Sequence, residues 1–376
     1  MKKKIAIIGS GISGLTLANL LQTNSNFEFV IYEKEEVLNL NEGFGLQLSV
    51  NSISVLNRIG FNQLNKNEKY HPNKLDFYSV NGNKVCDLDL TRFNSASEKY
   101  TTLKRSVLIK FLKEKFLANS IIFRKKINDV EKINDKINIH FTDGSRDAVD
   151  YLVVSDGFFS NTKSVIEKKL FKPIYYKAVA IRTQTKIQNI SNLNTNNISL
   201  IMGSNSHLVL YPVNQKKELN IVCIIRKKLN DQDSPKTILE KTILKENKSL
   251  INLFQGDLKS WPIYTSVKPV KSIYNNVLYI GDAFYTFPPT MAQGASQAIE
   301  AANEIFELIS SDSTNIQNEY FKKRVERTNL INKRSKFNYF GFHITNTILK
   351  IFRNFFLKRL VKNKIFIQSY LGKIYK

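Results

Sequence analysis

Cysteine is nearly missing from this chain: 376 residues contain two, Cys86 and Cys223, far apart and outside any CxxC or Cys/His spacing. That pattern excludes a disulfide framework and a zinc site, and no metal is expected; two small buried thiols in a reducing cytoplasm fit it. Long hydrophobic runs are missing too. No uninterrupted apolar stretch approaches the roughly 18 residues of a membrane-spanning helix. Lys2, Lys3 and Lys4 precede Ile5–Ile8, but that apolar run breaks at Gly9 and is too short for a signal peptide. Acids are scarce, 32 against 56 Lys and Arg, for a formal net charge of +24. The chain is rich in Lys, Asn and Ile throughout, so part of this charge is compositional. Its distribution is still uneven, because residues 321–376 hold fifteen Lys or Arg and the single acid Glu326. Such a region can attract nucleic acid, anionic membrane or acidic substrates. No helix-turn-helix, zinc-finger or RNP-type pattern accompanies it, and nucleic acid is set aside as a partner.

What is present is enough apolar residue, 42%, for a core divided between two domains. The first thirty-odd residues read as strand, tight turn, helix, strand. Ile5–Ile8 is a continuous apolar run of the kind buried on both faces of a parallel sheet. Gly9-Ser10-Gly11-Ile12-Ser13-Gly14 follows, helical periodicity runs from Ile12 to Leu21, and Phe27–Tyr32 returns as a strand ending in Glu33. Gly9 permits the turn, Gly11 lets backbone approach a pyrophosphate, and Gly14 allows helix and strand to pack closely. The helix start, with Ser13, offers N–H groups and positive dipole to phosphates. Glu33 can accept the hydroxyls of an adenosine ribose. A dinucleotide is expected here, with NAD and FAD left open by the motif.

The other end of the chain makes the choice. Val277–Ile280 reads as a buried strand delivering Gly281-Asp282, then a proline-rich loop, then a helix from about Gln293-Gly294. This segment resembles the FAD-binding Gly-Asp segment of the para-hydroxybenzoate hydroxylase-like flavoprotein monooxygenases. The resemblance implies that Asp282 bonds the ribityl chain and that Gly294 and Ala295 present N–H groups to the flavin ring. Further segments match. Gly43 to Asn51, with Gly45, looks like the flavin-adjacent loop of the salicylate hydroxylase-like branch, and Leu103-Lys104-Arg105 is similar to its Arg-bearing helix start, with Arg105 contacting FAD. Ser155-Asp156-Gly157 resembles the Asp-Gly motif, implying that Asp156 meets FAD and the nicotinamide cofactor. Ser206 to Pro212 and Leu219 to Val222 are similar to a strand pair of the aromatic-substrate chamber. Departures are Tyr285 for a common His, Ala301 for a frequent Asp, Lys163 for Arg, and Val154-Ser155 for Gly-Ala.

The expected fold class is α/β: a Rossmann-like FAD-binding domain assembled from about 1–70, 101–170 and 270–310, an inserted antiparallel-sheet substrate domain from 71–100 and 171–269, and a basic helical region over 311–376. Ile198–Met202, His207–Val213 and Leu219–Arg226 alternate as an antiparallel meander, and Asp231–Gln255 reads as a helix.

The resemblance further implies hydroxylation of a small aromatic substrate with O2, through a flavin C4a-hydroperoxide, with NADH or NADPH as a transient co-substrate; no second glycine-rich fingerprint is present. Phe284, Phe287, Pro288, Pro289 and Met291 are expected to wall the flavin against water. His207 and Tyr211, two positions apart from Val209 on one strand face, are the candidate catalytic pair, with His207 as a base for the substrate hydroxyl. Salicylate-like acids or phenols come first as substrates and a lipophilic quinone precursor second. A flavin-dependent reductase or dehydrogenase stands as the alternative activity. Finally, Ile348, Leu349, Ile351, Phe352, Phe355 and Phe356 fall on one helical face opposite Lys350, Arg353 and Asn354. That face is expected to dock on the protein, with peripheral contact to anionic membrane as the other reading.

Overall fold

The computed structural model describes residues 2–38, 43–115, 120–187, 193–228, 233–311 and 313–375. A parallel sheet forms its base, in the order β18 (Val277–Tyr279), β12 (Tyr151–Val154), β1 (Lys3–Ile8), β2 (Phe27–Tyr32) and β8 (Ile121–Ile122). Ile5, Ala6, Ile7, Leu152 and Val153 are fully buried, as strands covered on both faces must be. α1 (Ile12–Gln22) lies against this sheet and α7 (Gly294–Ser310), with α3 (Arg105–Lys113) beside it. The register pairs Ile8 with both Tyr32 and Val154, and Val154 with Tyr279. Four strands therefore end in one row, and Gly9, Glu33, Ser155 and Gly281-Asp282 emerge along the carboxyl edge where ligands of open α/β sheets bind. A three-stranded antiparallel sheet, β9 (Ile127–Ile133), β10 (Lys136–Phe141) and β11 (Arg146–Val149), connects β8 to β12.

A seven-stranded sheet stands above that edge, ordered β17 (Lys259–Thr265), β13 (Ile174–Lys186), β16 (Glu218–Arg226), β15 (Ser206–Val213), β14 (Ile198–Met202), β5 (Lys74–Ser79) and β6 (Lys84–Asp89). Its central strands β14, β15 and β16 are the expected antiparallel meander. The strand alternation separates two layers. Leu208 and Leu210 face α5 (Pro235–Lys241) and α6 (Ile243–Glu246), while His207, Val209 and Tyr211 face a cavity. A small sheet of β3 (Gly45–Leu48), β7 (Thr101–Lys104) and β4 (Lys69–Tyr70) joins the two units, with α2 (Val50–Arg58) following β3. α4 (Asn161–Ile166) follows the Asp156 loop.

One expected element changes. The helix expected over 231–255 starts at Pro235, after Ser234 caps the Thr237 N–H, and breaks at Thr242, whose φ of −122° and ψ of −104° are not helical. It breaks again at Asn247 and ends as a 3-10 stretch, Lys248–Phe254. Asp231 lies outside the described residues. The carboxyl-terminal helices, α8 (Ile316–Phe342), α9 (Thr347–Leu360), α10 (Lys364–Ile367) and α11 (Lys373–Tyr375), form part of the cavity wall. Arg324 of α8, 2% exposed, holds them to α7 through Glu300 at 2.9 Å and Glu304 at 3.4 Å. Arg327 binds Glu300 as well, through Nε at 2.7 Å, and donates to the Ile374 carbonyl at 2.6 Å. Four charged side chains and the Ile374 carbonyl thus share one largely buried knot. No helix among the described residues is long and apolar enough to cross a membrane.

Candidate active site

The glycine turn divides its tasks by geometry. Gly9 has a φ of +97°, and a Cβ there would lie 2.8 Å from the Asp156 Cα, so any other residue would be both strained and crowded. A Cβ on Gly14 would press into the Gly9 carbonyl oxygen and stand 2.6 Å from Ser155 Oγ. Gly11 is the opposite case. It caps α1 in extended conformation, its Cβ would meet nothing within 4 Å, and it lines the cavity with Ile12 and Ser13. No side chain caps the helix, so its first N–H groups remain available to an anion. Glu33 is half-buried at the edge of the turn, where its Oε2 accepts from the Ser10 N–H at 2.8 Å and the Ser10 hydroxyl at 2.5 Å. Gly9, Gly14 and Glu33 stand outside the cavity lining and shape the turn that borders it.

The far end of the chain closes onto this turn. Gly281, at φ +59°, packs so near Ser13 that a Cβ would lie 2.8 Å from its Oγ. Asp282 follows, open to the cavity yet surrounded by protein, and that burial raises its pKa to about 6 against the opposing pull of the Arg105 guanidinium. α7 begins at Gly294 without a side-chain cap, and both Gly294 and Ala295 line the cavity. Ser49 anchors that helix start, accepting from Gln293 Nε2 at 2.9 Å. Lys163 is buried, and its Nζ donates to the Ala283 carbonyl at 2.7 Å, so this departure from the family pattern ties the Asp156 loop to the Asp282 loop.

Asp156 is placed differently from the expectation. It does not line the cavity; its carboxyl turns to Ser160 and Thr162 at the start of α4, with Oδ1 buried and unpartnered, and burial raises its pKa. Ser155, Gly157 and Phe158 form the wall there instead. The expected aromatic-proline wall is also redistributed. Phe287, Pro289 and Met291 line the cavity, but Pro288 does not, and Phe284 packs into the core against Tyr320 and Phe321.

The cavity, about 1040 Å³, runs without interruption from Gly11 and Asp282 to the seven-stranded sheet. Gly45 marks the junction. Its N–H donates to Asn220 Oδ1 at 2.6 Å, and a Cβ would lie 2.7 Å from the Tyr211 ring. His207 and Tyr211 share the cavity face of β15 as expected from the alternation. Their chemistry departs from it. His207 is 1% exposed, its Nδ1 lies 2.7 Å from His343 Nε2, and burial lowers its pKa to about 3. Imidazole in that setting is neutral rather than a base poised near pH 7. Tyr211 is held in its neutral form by burial, with the Arg182 cation pulling the other way.

Arg182 was not singled out from sequence, and it is the most informative addition. It sits in β13 on the cavity side, over the Trp261 ring at 5.9 Å. Burial lowers its pKa, while Tyr211 favours its charged form. The available signal was one cation in the apolar strand Ala178–Thr183. His343 gave no local signal, lying 136 positions from its partner.

The family model described as "FAD binding domain" matches residues 2–313. A 6-hydroxynicotinate 3-monooxygenase of Bordetella bronchiseptica is 23% identical over 315 residues, 80% of this chain and 81% of the relative. A 3-hydroxybenzoate 6-hydroxylase of Aquipseudomonas alcaligenes is 24% identical, over 90% of this chain and 89% of the relative. Among solved structures, Klebsiella pneumoniae HpxO complexed with FAD and uric acid superposes with a TM-score of 0.84 at 17% identity, covering 99% of this chain and 96% of that one.

Proposed function

This chain belongs to the FAD-binding-domain family of flavin-dependent hydroxylating monooxygenases, and on that premise we propose that it uses NADH or NADPH and O2 to hydroxylate a small aromatic compound bearing a phenolic hydroxyl or a carboxylate. The observation that carries the proposal is the single cavity whose floor is the Gly11, Asp282 and Gly294 turns and whose roof is the His207, Tyr211 and Arg182 face. FAD fits the floor. The open space at Gly11 and Gly294 accepts a ligand that a side chain would displace, and two bare helix starts face it. In this reading α1 and Ser13 hold the pyrophosphate, Glu33 the ribose, Asp282 the ribityl chain, and Gly294, Ala295 and Arg105 the flavin end. When bound, FAD supplies dioxygen activation and delivery of one oxygen atom to the substrate.

The chain's own groups do the rest. Arg182 pairs with the substrate's anionic group and, for a phenol, favours the phenolate, whose electron density makes the ring carbon the better nucleophile. Neutral His207, oriented by His343, and Tyr211 hold the substrate oxygen by hydrogen bonds. Phe287, Met291 and Trp261 keep water from the reacting atoms. A panel of aromatic acids and phenols tests this by stimulation of NAD(P)H oxidation with matching O2 consumption. Stimulated oxidation that proceeds without O2 would favour the reductase or dehydrogenase reading.

A further inference from the structure

α9 is turned inside out relative to an ordinary surface helix. Ile348, Leu349, Ile351, Phe352, Phe355 and Phe356 are between 46% and 65% exposed, and no residue of the helix is buried. The side facing the protein carries Lys350 and Arg353 in its first half and Leu357 and Leu360 in its second. Lys350 Nζ donates to Ser204 Oγ at 2.7 Å and pairs with Glu246 at 3.5 Å, and Arg353 donates to the Gly341 carbonyl at 3.3 Å. The docked apolar face expected from the sequence is therefore overturned. Nearby, Phe337 and Phe340 of α8 and Ile365 of α10 are 61%, 63% and 83% exposed. Apolar surface exposed on this scale is the mark of an interaction site.

Charge selects the partner. Lys333, Lys336, Lys358, Arg359 and Lys364 are exposed on the same helices, Lys362 is exposed in the turn between α9 and α10, and no acid occurs after Glu326. Two copies of this surface would bring like charges together, whereas an anionic bilayer offers acyl chains to the apolar residues and headgroups to the cations. We propose that α9, with the adjoining ends of α8 and α10, docks this protein on the surface of an anionic lipid bilayer, the apolar side chains entering the headgroup boundary without spanning it. The placement has a consequence for the cavity. Leu357, Leu360 and Val361 line it from the inner side of the same segment, and Phe337 belongs both to the lining and to the exposed surface. Docking sets this cavity wall against the lipid.

The test is co-sedimentation of the full-length, flavin-loaded protein with vesicles, which requires no knowledge of the substrate and is independent of turnover. Wild type is expected to sediment with equimolar phosphatidylglycerol and phosphatidylcholine, to stay in solution with phosphatidylcholine alone, and to be released by salt. The Ile351→Glu/Phe352→Glu variant should bind about tenfold more weakly or worse, and Lys358→Glu/Lys362→Glu should lose binding as well. Both alter exposed positions, so thermal melting and flavin content should match wild type. Wild type left in the supernatant with anionic vesicles overturns the proposal, as does unchanged binding by the folded apolar variant. A dimer in solution that Ile351→Glu/Phe352→Glu returns to monomer, with no vesicle binding, overturns it in favour of a second copy.

Discussion

His207 Nδ1 meets His343 Nε2 at 2.7 Å, one ring on β15 and the other immediately after α8. One imidazole must donate and the other accept, so a single shared proton fixes both tautomers. Burial lowers the pKa of His207 to about 3 and that of His343 to about 2. Both are therefore neutral near pH 7. We expect kcat/KM to follow the same pH dependence in wild type and His207→Asn between about pH 6 and 9, at a level about tenfold lower in the variant. A pH profile that loses a limb near neutrality on substitution would restore His207 as the base. The stability consequence has the opposite sense to a salt-bridged histidine. Neutral burial stabilises the fold above the unfolded value of 6.5, and this contribution is lost as pH falls below it, toward 3.

Two glycines of one turn should fail in different ways. A Cβ at Gly11 meets no atom within 4 Å and the position needs no left-handed backbone, so the Gly11→Val apoprotein should melt near wild type while its FAD affinity collapses. Gly14→Ala drives a methyl into the Gly9 carbonyl and Ser155 Oγ, and should cost about 1–3 kcal/mol of stability. Flavin titration and thermal melting of both variants separate ligand space from packing.

Asp282 should make flavin binding pH-dependent. Its carboxyl titrates near 6 because burial disfavours the charge. The native apoprotein takes up a proton between 3.8 and about 6 that the unfolded chain does not, so this group's contribution to apoprotein stability declines as pH rises through that window. A ribityl hydroxyl donating to the carboxylate favours the ionised form. FAD affinity should therefore fall as pH drops through about 6, and Asp282→Ala should bind FAD about ten- to a hundredfold more weakly with that pH dependence gone. Fluorescence titration of flavin across the range reads both.

Arg182 should set substrate charge preference. Arg182→Met is expected to raise KM for carboxylated aromatics about tenfold or more, with a smaller effect on uncharged phenols and none on FAD content. Equal effects on charged and uncharged substrates would assign the residue to packing over Trp261.

What could be read from sequence follows the range of the interaction. The turns at Gly9–Gly14 and Gly281–Asp282 are legible because a fixed local spacing dictates the backbone, and the β14–β16 meander is legible because alternation sorts Leu208 and Leu210 from His207 and Tyr211. The His207–His343 contact leaves no such trace, since nothing local at either residue requires the other. Asp156 carries its motif correctly and still turns its carboxyl to Ser160 and Thr162, because α4 begins where those donors are available. Periodicity in α9 identifies an apolar face but not its direction; Lys350 and Arg353 found partners in the protein, and the aromatic side was left outside. Thr242 broke the expected helix over 231–255 without a proline or glycine to announce it.

Isotope labelling reads most directly whether this cavity directs an oxygen atom from O2 onto an aromatic ring. With a substrate found in the aromatic panel, turnover under labelled dioxygen should give a hydroxylated product carrying one labelled oxygen atom, while turnover in labelled water should leave that position unlabelled. Product that carries no label from dioxygen, with reducing equivalents recovered instead as hydrogen peroxide or a reduced acceptor, would show that the protein is not a monooxygenase toward that substrate.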